Sequence, residues 1–365
     1  MRTVALDEIA TIHAGGRLGL TGDDFVGAGF PAFGAGGKNG YVPIAEYKCP
    51  GIILSSIGAR CGKCFYVDGA WTTLANTQVI LPNPEQVDAR FLWYQLNDEL
   101  SWPRSGSAQP FIKPSEVKRR TVVLPSLVEQ RHIVAILDRT EALRHKRRQV
   151  VASLDALTQA IFWEMVDHDA TPTIAAGDFM REMRNGLSPS TGGDCIAPVL
   201  TLTAVTNGEF DPTFVKTGSF NFVPPPAKRV RAGEFLVCRG NGRLGLVGVG
   251  VAVRSDRPDL VFPDTVIAGR VDQGQIMLDV LEVAWRQESC RRQIESLART
   301  TNGTYKVNQA TLSEVRVPVP PMVLQREFVG RVESIRLQRG RARQQIQDFD
   351  TLLTSLQTRA FREGL

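Results

Sequence analysis

The sequence predicts an α+β protein in which two mixed α/β domains are separated by two long helices, arranged as a pseudo-twofold repeat. Three observations predict it. The Pro-stopped strand end Leu124-Pro125-Ser126-Leu127-Val128-Glu129-Gln130 leads into a long helical pattern, and 195 residues later Val319-Pro320-Pro321-Met322-Val323-Leu324-Gln325 does the same. Before each junction lies a stretch of short strand patterns punctuated by glycine and proline. Behind each junction the pattern changes to alternating steps of three and four, the mark of a heptad seam. These divide the chain into residues 1–125, 126–166, 167–320 and 321–365.

At 365 residues the chain has room for two domains with cores of their own. Hydrophobic residues make up 43%, as in a globular protein, and no run approaches the roughly 18 apolar residues of a membrane span. Met1-Arg2-Thr3-Val4-Ala5-Leu6 has no signal-peptide core, so a cytoplasmic protein with no membrane partner is expected. The net charge of +5 permits a polyanionic partner without requiring one. Cys49, Cys61, Cys64, Cys195, Cys238 and Cys290 are scattered, which argues against a disulfide framework.

Taken in order, Phe30 to Val42 reads as a glycine-rich loop between apolar patches. Gly51 to Ser56, Cys64 to Val67 and Thr77 to Leu81 read as strands, the last closed by Pro82-Asn83-Pro84. Val87 to Leu96 reads as an amphipathic helix with Val87, Phe91 and Tyr94 on one face. Ser105 to Phe111 is a polar loop, and Thr121 to Leu124 returns the chain to Pro125.

From Leu127 a seam runs through Ile133, Ile136, Thr140, Leu143, Arg147, Val150, Leu154, Leu157 and Ile161. A helix over residues 127–165 would be about 58 Å long at roughly 1.5 Å per residue, more than an ordinary globular domain needs. The second mixed stretch repeats the order of the first. Gly233 to Gly245 parallels Gly51 to Gly62, and Val261 to Ala268 parallels Leu74 to Leu81. A helical pattern through Leu278, Leu281, Trp285 and Ile294 follows, then a polar loop from Thr300 to Lys306. The last segment repeats the seam at Phe328, Ile335, Ala342, Phe349, Leu352 and Leu356, with Arg331, Gln338 and Gln345 interrupting it. Two imperfect seams complete one another if the helices pair.

Catalytic chemistry is hard to find. Gly34-Ala35-Gly36-Gly37-Lys38-Asn39 lacks the Ser or Thr and the spaced glycine of a phosphate-binding loop. His13, His132, His145 and His168 are dispersed. Cys61-Gly62-Lys63-Cys64 has metal-ligand spacing but is one pair where structural zinc wants two, so it reads as packing around a tight turn. No metal and no catalytic residue is assigned.

Basic residues do have a pattern: Arg139, Arg144, Lys146, Arg147 and Arg148 on the first long helix, Arg326, Arg331, Arg336, Arg339, Arg341 and Arg343 on the second. Each mixed domain adds loops of basic, amide and aromatic groups. Candidates for nucleic-acid contact are Lys38, Asn39, Tyr41, Arg60, Lys63, Arg104, Gln109 and Lys113 in the first. In the second they are Arg184, Asn185, Arg239, Asn241, Arg243, Asn302, Tyr305, Lys306 and Asn308. Cationic side chains neutralise phosphates, while Arg on guanine and Asn or Gln on adenine read base edges.

The stretch from Leu124 to Asp138, with Leu143-Arg144-His145-Lys146-Arg147-Arg148, resembles the central conserved region of the specificity subunits of type I restriction–modification enzymes, the HsdS family. Gly37 to Tyr41, Gly51 to Gly62 and Pro263-Asp264-Thr265-Val266 add to the likeness, while Leu324 stands where the first junction has Glu129. The resemblance implies two target-recognition domains, each reading one half of a split, asymmetric site in double-stranded DNA. It implies antiparallel spacer helices that dock two methyltransferase subunits, which bind S-adenosylmethionine, and a restriction-translocase subunit joining that core. The chain itself would bind no cofactor and catalyse nothing. Gln130, Ile133, Leu137, Leu143, Gln325, Phe328, Ile335 and Phe349 are the expected spacer and docking positions. The rival reading is a single-chain DNA-modifying enzyme or nuclease, which purified protein acting on DNA without added subunits would favour.

Overall fold

The computed structural model describes residues 2–106, 108–166, 171–301 and 303–363. Two sheet-rich α/β domains are joined to two long helices, Leu127–Met165 and Met322–Thr358, that contact each other. The chain forms two compact units: Met1–Gln149 with Ala342–Leu365, and Val150–Arg341. Each unit therefore holds one sheet-rich domain and a portion of both long helices.

In the first unit, Arg2–Ala5 pairs antiparallel with Thr121–Leu124, closing the domain at the point where the long helix begins. One four-stranded sheet runs in the order Ala10–Ala14, Thr77–Pro82, Gly51–Ser55, Cys64–Val67. The other runs Gly37–Val42, Phe30–Gly34, Ala70–Thr73, Tyr47–Lys48, with its middle pair parallel. Strand geometry sends neighbouring side chains to opposite faces. Ile52 and Leu54 accordingly join the core beneath helix Ala89–Leu96, while Ile53 joins a separate cluster with Trp71 and Val79.

The second unit repeats the plan. Thr173–Ala175 pairs with Arg316–Pro318, and the two four-stranded sheets have the same order of corresponding strands as in the first domain. Phe235 and Val237 face the core under helix Leu278–Trp285, and Leu236 and Cys238 face the other way. A three-stranded sheet is added: Gly240–Asn241, Thr304–Lys306 and Arg299–Thr301. Among the described residues, the first domain has isolated bridges at the matching places, Ile57 with Phe111 and Ser105 with Phe111.

Three expectations need correction. Phe30 to Val42 is a β-hairpin, not a loop, turned between Gly34 and Gly37, where Gly37 takes a φ of 110°. Its glycines hide the alternation that marks a strand. The polar loop from Thr300 to Lys306 is likewise a hairpin, with Thr301 paired to Thr304.

The third concerns the seams. One heptad line holds, through Ile133, Thr140, Arg147, Leu154 and Ile161. The other is displaced by one residue and runs through Leu137, Arg144, Val151 and Thr158, leaving Leu143, Val150 and Leu157 exposed at 39%, 39% and 47%. The second helix shows the same displacement: Val332, Arg339, Ile346 and Leu353 turn inward, and Arg331, Gln338, Gln345 and Leu352 do not. That seam is apolar apart from Arg339, so it is more complete than the sequence suggested. Hydropathy misplaces the line because polar residues on the true one find partners, Arg339 through its terminal nitrogens though not its Nε. In the first unit Arg144 holds Glu141 and, across the helices, Asp350 at 2.8 Å. In the second, Arg339 bonds Asp155 at 2.9 Å and Glu209 at 3.0 Å, and the Thr158 hydroxyl bonds Leu154 O.

Candidate nucleic-acid interface

Each domain is tied to its long helix by a buried glutamine. Gln130 Oε1 accepts the Asp88 N–H at 2.8 Å, and its Nε2 donates to Gln86 O at 3.1 Å and Pro125 O at 3.0 Å. Gln325 does the same, accepting from Met277 N at 2.8 Å and donating to Gln275 O at 2.9 Å and Pro320 O at 2.8 Å. Asp88 and Met277 are the N-caps of Ala89–Leu96 and Leu278–Trp285. Two of the three bonds thus join each long helix to the loop that starts the domain's own helix, and the third holds the proline that precedes the long helix. A full set is what burial demands, since an orphaned amide costs about 1–3 kcal/mol.

At the far end of the sheets the first domain gathers its candidate loops. Gly58 N donates to Pro110 O at 2.9 Å, Ile112 N to Ser56 O at 2.9 Å, and Ser105 and Phe111 exchange backbone bonds of 2.8 Å. Arg60, Gln109 and Lys113 are exposed on these adjoining segments, and Lys63 is half-buried. Gly62 is needed there: at φ 99°, a Cβ would lie 2.5 Å from Glu99 O. Arg104 is held by Glu99, through its carbonyl at 2.6 Å and its carboxylate at 3.7 Å. Lys38, Asn39 and Tyr41 lie on the edge strand Gly37–Val42, with Lys38 Nζ 2.7 Å from Tyr41 Oη and 3.9 Å from the ring centre.

In the second domain the three-stranded sheet brings Asn241, Tyr305 and Lys306 together, with Arg239 and Arg243 beside them. Asn241 Oδ1 accepts from Arg243 N at 3.0 Å, and Arg239 Nη1 donates to Asp264 O at 3.2 Å. Other candidates serve the framework. Arg184 pairs with buried Glu234 and lies over the Phe262 ring, 5.4 Å from its centre. Asn185 accepts Lys228 Nζ on its carbonyl at 2.6 Å, and Asn308 caps Gln309–Ser313 by accepting Thr311 N at 2.8 Å. Asn302 lies outside the described residues. Arg299 and Thr300, which are not among the sequence candidates, are exposed on the third strand of this sheet. The Asn302-Gly303 dipeptide, a strong hairpin signal, could have found them.

The Cys61 and Cys64 thiols are buried and donate to Ser56 O at 3.4 Å and Leu96 O at 3.3 Å. Burial raises both, as it raises Cys238 and Cys290 to about 11. Such thiols resist the deprotonation that metal binding requires.

Comparison with known proteins agrees with this arrangement. The family model for the type I restriction modification DNA specificity domain matches residues 1–152. The type I restriction enzyme EcoKI specificity subunit of Escherichia coli (strain K12) is 23% identical over 277 residues, covering 70% of this chain and 60% of that protein. The S subunit of a type I restriction–modification system from M. genitalium shares the fold over 98% of this chain and 94% of its own, with a TM-score of 0.57 at 15% identity. Residues 1–152 thus match the type I DNA specificity domain, and the chain is similar to type I specificity subunits over most of its length.

Six of the expected spacer and docking residues are core residues of this chain. Gln130, Ile133, Leu137, Gln325, Phe328 and Ile335 are buried, and Phe349 is half-buried. Leu143 is the exposed member of the set, and Val150 and Leu157 follow it one and two heptads on. Among the described residues no helix is long and apolar enough to cross a membrane.

Proposed function

We propose that the chain is the DNA-recognition subunit of a type I restriction–modification system. Residues 1–125 and 167–320 each read one half of a split, asymmetric duplex site. Residues 126–166 and 321–365 are antiparallel coiled-coil spacers that fix the half-site separation and carry two methyltransferase subunits. Those partners supply S-adenosylmethionine and the chemistry, a restriction-translocase subunit completes the assembly, and this non-catalytic chain works in the cytoplasm.

The observation that carries the proposal is the repetition of the frame with divergence of the loops. Two domains of one strand order hang from their helices by the same three glutamine bonds. At the far ends one presents Arg60, Gln109 and Lys113, the other Asn241, Arg243 and Lys306. Identical readers would suit a symmetric target, and unlike ones suit two different half-sites. An antiparallel course is supported within the second unit, where Asp155 meets Arg339 and Glu164 meets Arg331. In the first unit Arg144 meets Asp350 while Ile133 and Leu137 share a core with Leu353 and Ala360. For partner docking the exposed Leu143, Val150 and Leu157 are the better candidates.

Methylome sequencing of cells with and without the gene tests the proposal. Loss of one bipartite motif is the expected result, and an unchanged methylome in cells that express the assembly would refute it. Exchanging residues 1–125 for those of a relative should change one half of the motif and leave the other intact.

A further inference from the structure

In the second domain, Lys306 sits on the middle strand of the three-stranded sheet with Arg299 opposite on one side and Gly240 on the other. Directly opposed residues of an antiparallel ladder share a face, about 5 Å apart at Cβ. Two exposed cations therefore stand side by side, an arrangement that repels and weakens the ladder. Among the described residues neither Arg299 nor Lys306 takes part in an ion pair that would relieve it. Gly240 completes the surface, because a Cβ there would meet Lys306 Cγ at 3.3 Å. The lysine stem lies across the bare backbone of Gly240, a place that a side chain there would contest. The bridged pair at the matching place in the first domain is Ser105 and Phe111, which carries no charge.

We propose that Arg299 and Lys306 form a phosphate clamp, gripping the DNA backbone beside the second half-site. The inference rests on the DNA-recognition reading above and deepens it. An anion between the two cations turns their repulsion into attraction, and a phosphate bears two oxygens that can meet both. Phosphate contacts set register and affinity without reading sequence.

The test uses the full-length chain co-purified with its modification subunits, titrated onto a duplex carrying its methylation motif over a range of salt concentrations. The double variant R299Q/K306Q should flatten the log–log salt dependence of affinity by about 0.9, the share of one phosphate, and R299Q or K306Q alone by less. R299K should keep the wild-type slope, the motif should stay unchanged, and the thermal transition of the R299Q and K306Q variants should not fall, because each relieves the repulsion across the ladder. A double variant with the wild-type slope would overturn the clamp. So would a motif altered in its second half, which would make these residues base readers. Failure of the wild-type assembly to prefer its motif would instead bring down the DNA-recognition reading itself.

Discussion

The two sheet-rich domains agree where they meet the long helices and differ where their sheets end. At the roots, Gln130 and Gln325 make the same three bonds with lengths that match to within 0.2 Å. At the tips, one domain has two isolated bridges and the other a three-stranded sheet with a cationic rung. The difference separates two tasks. A root must place a rigid body on a rod, and a buried amide with every donor and acceptor matched admits few substitutes. A tip meets solvent or a ligand, so its composition can drift without disturbing the core.

The comparison can be broken most forcefully at the helix contact itself. In the second unit Phe162 and Phe328 pack edge to face at 5.7 Å, both fully buried. Phe328→Ala should cost about 3–5 kcal/mol, the usual range for a buried phenylalanine. In the first unit a looser aromatic contact pairs Phe91 of the domain helix Ala89–Leu96 with Phe361, beyond the end of the second long helix, at 5.5 Å, and Phe361 is only half-buried. Phe361→Ala should therefore cost less than about 3 kcal/mol. Denaturant unfolding followed by hydrogen exchange, which reports each unit separately, would show equal losses if the units were held alike.

Next come the glutamines. Gln130→Ala and Gln325→Ala should each cost about 1–3 kcal/mol by orphaning the N–H of Asp88 or Met277. Because the bonds are the same, the two losses should agree. A silent Gln325→Ala would mean the two roots share geometry without sharing function.

A smaller effect should separate the roots. Ser126 and Glu129 form a capping box on the first long helix: Ser126 N donates to Glu129 Oε2 at 2.9 Å, and Glu129 N to Ser126 Oγ at 3.3 Å. The second root has Pro321 and Leu324 at the matching positions and cannot form one. Ser126→Ala should cost about 1 kcal/mol, with no counterpart at Pro321. The Ser126 hydroxyl and N–H hold the Glu129 carboxylate below its ordinary range. A lowered folded value means the box contributes fully above the ordinary glutamate range of about 4.3 and is lost as pH falls through the folded value. Acid titration of Ser126→Ala should lack that component.

Much of the frame was readable because it rests on signals local to the chain. The first long helix ends where its period ends, and the strands Cys64–Val67 and Thr121–Leu124 occupy the residues expected of them. Gln130 stood out because it recurs, yet nothing local revealed that its partners lie some forty residues away at Gln86 and Asp88. The tips were harder. Arg184 and Asn308 have the composition of a reader, but their hydrogen-bonding capacity goes to Glu234 and to a helix cap. Composition cannot tell a free guanidinium from one already paired.

The seams failed for a related reason, and the smallest expected effect tests that failure. Hydropathy places Leu143, Val150 and Leu157 inside, whereas the fold turns Arg144, Val151 and Thr158 inward. A heptad read from one helix admits both lines, because stepping three then four and four then three covers adjacent faces. The partner decides between them, and Asp350 opposite Arg144 favours the more polar one. Leu157→Ser should then change stability by no more than about 0.5 kcal/mol, as exposed positions do. The hydropathy line would instead require a loss of about 2 kcal/mol or more for removing a buried leucine. If Leu157 serves the proposed docking, the same variant should still fold normally yet recover less methyltransferase subunit on co-purification. Normal folding with normal recovery would keep the displaced seam and move the docking surface elsewhere on the helices.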